Sequence, residues 1–139
     1  SEGIMQGVEQ IIDKINRLPL EDLIVKLSKT VEDTDMVVKD IHTPLKSVLI
    51  QLKDTVHHLN EMTGKKSFAR MPDEINRTLA ELKKTLKTTK GVLRGYDHNS
   101  LLGRQLSQTL KSVTKTSQEM QQFLDMLNRK PNSLIFGDK

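Results

Sequence analysis

Two groups of residues in this sequence have side chains of the kind that bind metal ions. In the first group, His57 and His58 are adjacent and Glu61 follows within one helical turn. Adjacent residues on an α-helix point about 100° apart, so the two histidines do not face the same ion. No second ligand pair follows at a spacing typical of zinc sites. We therefore interpret both histidines as solvated side chains.

The second group is an acidic cluster of Glu32, Asp33 and Asp35. Such a cluster could attract a cation, but acidic runs on helices are commonly solvated. The sequence also contains no glycine-rich phosphate loop, no nucleophile elbow and no zinc-protease helix. We therefore predict a protein without catalytic residues, bound metal or cofactor.

The composition favours long helices over a bulky globular core. Only 35% of the 139 residues are hydrophobic and 3% are aromatic, whereas 29% are charged. A compact domain of this length usually has bulkier filling. The net charge is only +4, and the basic residues are interleaved with acidic ones rather than gathered into a stripe. Nucleic acid is therefore not indicated as a partner. No cysteine is present, and no apolar run approaches the roughly 18 residues of a membrane span.

Apolar residues recur at steps of three and four through most of the chain, and this spacing predicts amphipathic helices. Pro19 and Pro44 are suited to opening new helices, while Gly95 ends a segment. At Thr43-Pro44 the sequence allows either a helix end or only a kink. The predicted fold is all-α without a sheet: several amphipathic helices with coiled-coil-like seams, arranged as an oligomeric tube or a folded-back bundle. We predict one helical region, 1–139, with helices at about 3–18, 20–42, 44–62, 72–94 and 100–129 and a tail at 130–139.

The last predicted helix has a narrow apolar seam, by which we mean a stripe of residues at steps of three or four. Burying its seven apolar members would return on the order of 10–20 kcal/mol, whereas ordering about 26 residues costs roughly 1–2 kcal/mol each. This helix therefore needs partners along its length. The seam positions are Leu102, Leu106, Leu110, Val113, Ser117, Met120, Leu124 and Leu127.

Small polar residues interrupt the seams at Thr34, Thr89 and Ser117. Coiled-coil seams tolerate such residues, which is one interpretation. The other is that part of the seam lines a wetter or wider interior than a tight pair of helices would have. The sequence leaves both open.

Four stretches, 12–23, 71–82, 95–102 and 127–137, resemble the C-terminal region of MCE-domain proteins. The most specific parts of this resemblance are Leu18-Pro19-Leu20 and the run Pro131-Asn132-Ser133-Leu134-Ile135-Phe136-Gly137. The β-barrel domain that defines the family does not appear in this sequence. The resemblance therefore implies a C-terminal fragment of a larger protein.

The resemblance implies a non-enzymatic role in moving lipids between the inner and outer membranes. It implies a periplasmic location, with a tether to the inner membrane through parts absent from this chain. It also implies a homo-oligomer of six copies, phospholipid as cargo, and possible partners in an outer-membrane lipoprotein and an inner-membrane protein. Candidate lipid-facing or seam residues are Ile75, Leu79, Leu82, Leu86, Leu106, Leu110, Val113 and Met120.

Two other functions remain open at this point. The first is a structural coiled-coil spacer or oligomerisation module without lipid contact, and the second is a cytosolic helical interaction module. A continuous second apolar stripe beside the seam would favour lipid transport, but Ile11 beside Ile12 and Phe123 beside Leu124 only hint at one. We also expect the apolar patch at 134–136 to dock on a neighbouring surface.

Overall fold

The computed structural model describes residues 2–33, 39–62, 70–94 and 100–129. These residues form five helices, and no strand occurs among them, so the predicted all-α fold is confirmed. The helices are α1 (Glu2–Asn16), α2 (Leu20–Glu32), α3 (Lys39–Met62), α4 (Met71–Val92) and α5 (Ser100–Arg129). The predicted breaks near 63–71 and 95–99 fall mostly outside the described residues, as does the 130–139 tail with its expected docking patch.

A three-residue turn separates α1 from α2. The Leu18 N–H donates to the carbonyl of Ile15, and the Leu20 N–H donates to the carbonyl of Leu18. Pro19, the N-cap of α2, has φ −80° and ψ 54°, which lies outside helical geometry. The Pro19 carbonyl accepts the N–H of Leu23, so the helical ladder restarts at once. The proline therefore ends α1 and starts α2 with only a short turn between the two helices.

The second helix is shorter than the sequence predicted. A helix at 20–42 was expected, but α2 ends at Glu32 and Asp33 has extended backbone with ψ 124°. Two acidic residues at this point oppose the negative end of the helix dipole, which favours termination. The next helix begins at Lys39 rather than at 44 and contains Pro44. A proline so near a helix start removes only one early hydrogen bond, which explains why the helix tolerates it.

The helices pack as a four-column antiparallel bundle in which α1 and α2 together form one column. Both lie against α5, and the ring closes because α2 packs on α3, α3 on α4 and α4 on α5. The 30 residues of α5 span about 45 Å, close to the combined length of α1 and α2. Contacts of Gly7 with Phe123, Lys14 with Glu119, and Asp22 with Gln105 show that this column runs antiparallel to α5.

A single apolar core runs through the bundle. Every helix contributes to it through residues at three- and four-residue steps, as expected for amphipathic helices. The fully buried large side chains are Leu23, Leu27, Leu45, Leu52, Met71, Ile75, Leu79, Leu82, Leu86, Leu106 and Met120.

Candidate functional site: the buried seam of α4 and α5

The seam of α4 lies in the centre of the bundle. Ile75, Leu79, Leu82 and Leu86 follow one another at steps of four, three and four, and all four are buried. The helix starts with Pro72 in its first turn and with Asp73 and Glu74 beside the positive end of its dipole. This start favours a helix that begins here, and the four-three spacing then places the four apolar side chains on one face. The structure therefore brings together all four seam candidates of this helix.

The seam of α5 follows a different line from the predicted one. Leu106, Val113 and Met120 are buried as core residues, whereas Leu110 is only half-buried and packs at the edge of the core. The seam positions between them are taken by threonines. Thr109 is buried where Leu110 was expected, and Thr116 is buried where Ser117 was expected.

The physical reason is that adjacent residues on a helix are only about 100° apart, so both can border the same wide face. The α5 residues that are buried lie at 102, 106, 109, 113, 116 and 120, which is an unbroken alternation of four and three. The predicted seam passes through Leu110 and Ser117, whereas the structure buries the preceding residue at both places, Thr109 and Thr116. Heptad spacing does not separate the two phases, because Thr109 and Thr116 are seven residues apart and so are Leu110 and Ser117.

The buried threonines differ in how their hydroxyl groups are satisfied. Thr78 donates to the carbonyl of Glu74 at 2.8 Å, and Thr116 donates to the carbonyl of Ser112 at 2.9 Å. Thr89 donates to the carbonyl of Thr85 at 2.8 Å. Such bonds to the preceding turn let a threonine lie inside a helical core. The predicted seam position Thr89 is thus buried, whereas the predicted Thr34 lies outside the described residues.

The hydroxyl oxygens of Thr85 and Thr109 are buried but have no hydrogen-bond partner. Each residue is 1% exposed. A buried hydroxyl without a partner costs roughly 1–3 kcal/mol, so these two positions lower the stability of the contact they occupy. Sequence reasoning did not identify either residue.

Polar contacts join other pairs of columns. Lys14 of α1 forms an ion pair with Glu119 of α5. The Gln105 amide on α5 donates to Asp22 of α2 at 2.8 Å. Hydrogen bonds from Lys26 and then from Gln105 hold the pKa of Asp22 below its usual 3.8, because both stabilise the ionised carboxylate. These contacts set the register of the α1–α2 column along α5.

An open cleft of about 720 Å³ lies beside the bond between Asp22 and Gln105. Lys26, Lys29 and Arg104 line this cleft, together with the acidic Asp22. The cleft is also lined by Leu101, which is 74% exposed. Three cations beside one carboxylate give a positive local potential that attracts anions. The exposed leucine adds an apolar surface next to that charge.

The two groups first considered as metal ligands do not come together. The His57 ring lies 3.1 Å from Glu61 one turn later, and both side chains are exposed. His58 lines a separate groove between α3 and α4. Glu32 and Asp33 are exposed, and Asp35 lies outside the described residues. Within 2–33, 39–62, 70–94 and 100–129, no three His, Asp or Glu side chains are placed to share a metal ion.

No helix in the described part of the chain combines the length and the apolarity needed to cross a lipid bilayer.

No protein-family model matches the chain, and no solved structure matches it with significant similarity.

Proposed function

We propose that this chain is a non-enzymatic helical segment of a periplasmic MCE-type lipid transport system that links the inner and outer membranes. Within that family the resemblance is greatest to paraquat-inducible protein B, in which C-terminal helices form a tube beyond stacked rings of six copies. The chain would then work as a homo-oligomer, with phospholipid as its cargo. Its tether to the inner membrane would lie in parts absent from this chain.

The observation that carries this proposal is the position of the Leu18-Pro19-Leu20 turn. This motif is among the most specific parts of the resemblance, and in the bundle Pro19 borders the basic cleft between α2 and α5. A phospholipid presents an anionic phosphate next to apolar chains. Lys29 and Arg104 match the phosphate, and the exposed Leu101 matches the apolar part. The cleft thus supports lipid contact beside one of the two most specific parts of the sequence resemblance.

The seams supply the second part of the proposal. In the single-chain bundle, Leu79, Leu82 and Val113 are fully buried against neighbouring helices. In a ring of copies, the same side chains would pack between helices of adjacent copies and border a bore. A lipid in that bore would meet only methyl and methylene groups. The helices would therefore offer an apolar route without any chemical step.

A structural spacer without lipid contact is the second candidate. The observation that favours it is that one chain already buries its own seams, since Ile75, Leu86 and Met120 are covered without a second copy. A closed core of this kind holds a fixed length and needs no cargo.

Photo-crosslinking in the assembled envelope protein separates these two functions. A photo-crosslinking amino acid at Leu101 in the cleft, or at Leu82 on the seam, should capture phospholipid if the chain carries lipid. The control position is Lys84, which is exposed on α4. Equal capture at all three positions would favour the spacer.

Charge reversal tests the cleft by itself. Lys29→Glu together with Arg104→Glu should weaken binding of the chain to vesicles that contain phosphatidylglycerol. The matched control is Lys46→Glu with Lys53→Glu, two exposed lysines on α3. The control makes the same change in net charge, so an equal loss in both variants would show that the attraction is general and not specific to the cleft.

A further inference from the structure

The last turns of α5 carry apolar side chains that the bundle covers only in part. Met120 is the last fully buried residue of this helix. From there to Arg129 no residue is buried, although apolar residues continue at steps of three and four. The half-buried apolar residues of these turns are Phe123, Leu124, Met126 and Leu127.

The first turn of α1 lies at the same end of the bundle, because α1 runs antiparallel to α5 and Gly7 contacts Phe123. Ile4 is half-buried there, and Met5 is 42% exposed. We call these two residues, together with the four apolar residues of the last turns of α5, the apolar end of the bundle. A cluster of uncovered apolar side chains commonly marks a binding surface.

The chain leaves the bundle at this end, and its next residues are suited to turning back. Pro131 cannot extend α5, because it has no amide hydrogen to donate. Proline is favoured at the second position of a β-turn and asparagine is accepted at the third, so the sequence at 130–133 favours a reversal of the chain. The apolar run Leu134-Ile135-Phe136 follows immediately. A reversal directs this run towards the helix ends that the chain has just left.

The apolar end lies within reach of this run. Five residues lead from Arg129 to Leu134, and an extended chain of that length spans at most about 18 Å. Phe123 lies only about 9 Å from Arg129 along the helix axis, and the other apolar residues of these turns lie closer. The first turn of α1 lies beside these same turns of α5.

The other large exposed apolar side chains of the described residues lie farther away. Leu101 is about 42 Å from Arg129 at the opposite end of α5. Val25 lies near that opposite end as well, because Asp22 of the same helix contacts Gln105. Ile50 is on α3, the column across the bundle from α5.

A groove on the last turns of α5 is within reach, but its chemistry does not suit an apolar run. It is lined by polar and charged side chains, namely Gln122, Asp125, Asn128 and Arg129. Placing leucine, isoleucine and phenylalanine there would cover polar groups without supplying hydrogen bonds.

We propose that the run Leu134-Ile135-Phe136 turns back and covers the apolar end of its own bundle. The tail then closes the bundle where α1 begins and α5 ends. This inference goes beyond the proposed function, because a lipid-carrying segment and a structural spacer both need that end covered.

Thiol labelling tests the contact, because the chain has no cysteine of its own. Leu127→Cys places a thiol in the apolar end, and Asn128→Cys places one in the polar groove as the matched control. Each thiol is labelled in the otherwise unchanged chain and in a tail variant with Leu134→Ser, Ile135→Ser and Phe136→Ser. All samples are free of lipid, so the outcome does not depend on lipid binding.

We expect the tail variant to label at Leu127→Cys at least about tenfold faster, because a docked tail must open before the covered thiol reacts. Labelling at Asn128→Cys should change by less than about twofold, since the tail does not cover that groove. Both rates should be independent of protein concentration, because the tail covers its own chain.

A fluorescence measurement keeps the apolar run nearly intact. Phe136→Trp supplies a single tryptophan, whose emission should be blue-shifted in the folded chain and move to the red in urea. Adding Met126→Glu with Leu127→Glu should move the emission to the red without urea. The charge-matched control, Gln122→Glu with Asn128→Glu, should leave it unchanged.

Four results would overturn the inference. Equal labelling of Leu127→Cys with and without the tail changes, or red-shifted tryptophan emission in the folded chain, would show that the tail does not cover this end. Protection of Leu127→Cys that grows with protein concentration would show that a second copy covers it. Faster labelling of Leu127→Cys after Phe68→Ser, with the tail unchanged, would assign the cover to the connection between α3 and α4.

Discussion

Gly7 of α1 lies against the aromatic ring of Phe123 on α5. A Cβ atom built on Gly7 would overlap three carbons of that ring, at positions closer than van der Waals contact allows. Glycine normally weakens a helix interior by roughly 0.5–1 kcal/mol relative to alanine. Its presence here lets the phenylalanine cover α1 at close range. The low helix propensity of glycine is therefore offset by closer packing between α1 and α5.

This relationship predicts a change of sign in a double-mutant cycle. Gly7→Ala should destabilise the wild-type bundle by about 1–2 kcal/mol, because the ring must move and packing is lost. In a Phe123→Ala background, the same Gly7→Ala change should instead stabilise the bundle by up to about 1 kcal/mol, since only the helix propensity remains. Urea denaturation of the four chains measures both values. The same sign in both backgrounds would disprove the contact.

The apolar seam should dominate stability. Leu82→Ala removes a fully buried side chain and should cost about 2–5 kcal/mol. Lys84→Ala, two residues away on the exposed face, should change stability by less than about 0.5 kcal/mol. Thermal unfolding followed by circular dichroism compares the two variants.

A stronger change on the same seam tests whether the bundle has one cooperative core. Leu82→Asp with Leu86→Asp places two carboxylates in the bundle centre and should abolish cooperative unfolding, because total stabilities of roughly 5–15 kcal/mol are typical. Cooperative melting that persists in this double variant would contradict a single shared core.

Asp22 should make the bundle sensitive to acid. Its pKa in the folded chain lies below 3.8, so the carboxylate contributes stability above about pH 4 and loses that contribution as the pH falls through the folded pKa. The stability difference between wild type and Asp22→Asn should therefore shrink as the pH is lowered from 5 towards the folded pKa.

Carboxyl NMR titration tests the cause of this shift. Lys26→Ala should raise the Asp22 pKa towards 3.8 more than Gln105→Ala does, since the Lys26 hydrogen bond is the larger cause. The reverse order would place the main interaction across the helices instead of within α2.

The register of α5 can be read from single cysteines, because the chain has no cysteine of its own. A thiol reagent should label Lys111→Cys rapidly and Thr109→Cys slowly, since Lys111 is exposed and Thr109 is buried. Leu110→Cys should react at an intermediate rate. Faster labelling at 109 than at 110 would show that Leu110, as the sequence predicted, is the buried residue, and would contradict the burial of Thr109 in the structure.

Local chemistry determined the helices themselves. Four-three spacing predicted amphipathic segments, and Pro19 and Pro72 marked starts that the structure places at the beginning of α2 and of α4. These signals act over one or two helical turns, where backbone hydrogen bonding and side-chain direction are governed by adjacent residues. The seam of α4 was predictable for the same reason, because its apolar residues leave no competing phase.

Longer-range packing decided the rest. Sequence periodicity extended α2 to residue 42, whereas the chain leaves the helix at Asp33 and forms a new one that passes through Pro44. At 109 and 110 the period allowed two phases, and contact with neighbouring helices turned the threonine inward. Which adjacent residue is buried depends on the surface opposite it, since a helix can rotate by a fraction of a turn at little local cost. The pairing of α1 and α2 with α5 likewise depended on Gly7 meeting Phe123 and on Gln105 meeting Asp22, residues more than 80 positions apart that only the tertiary structure brings into contact.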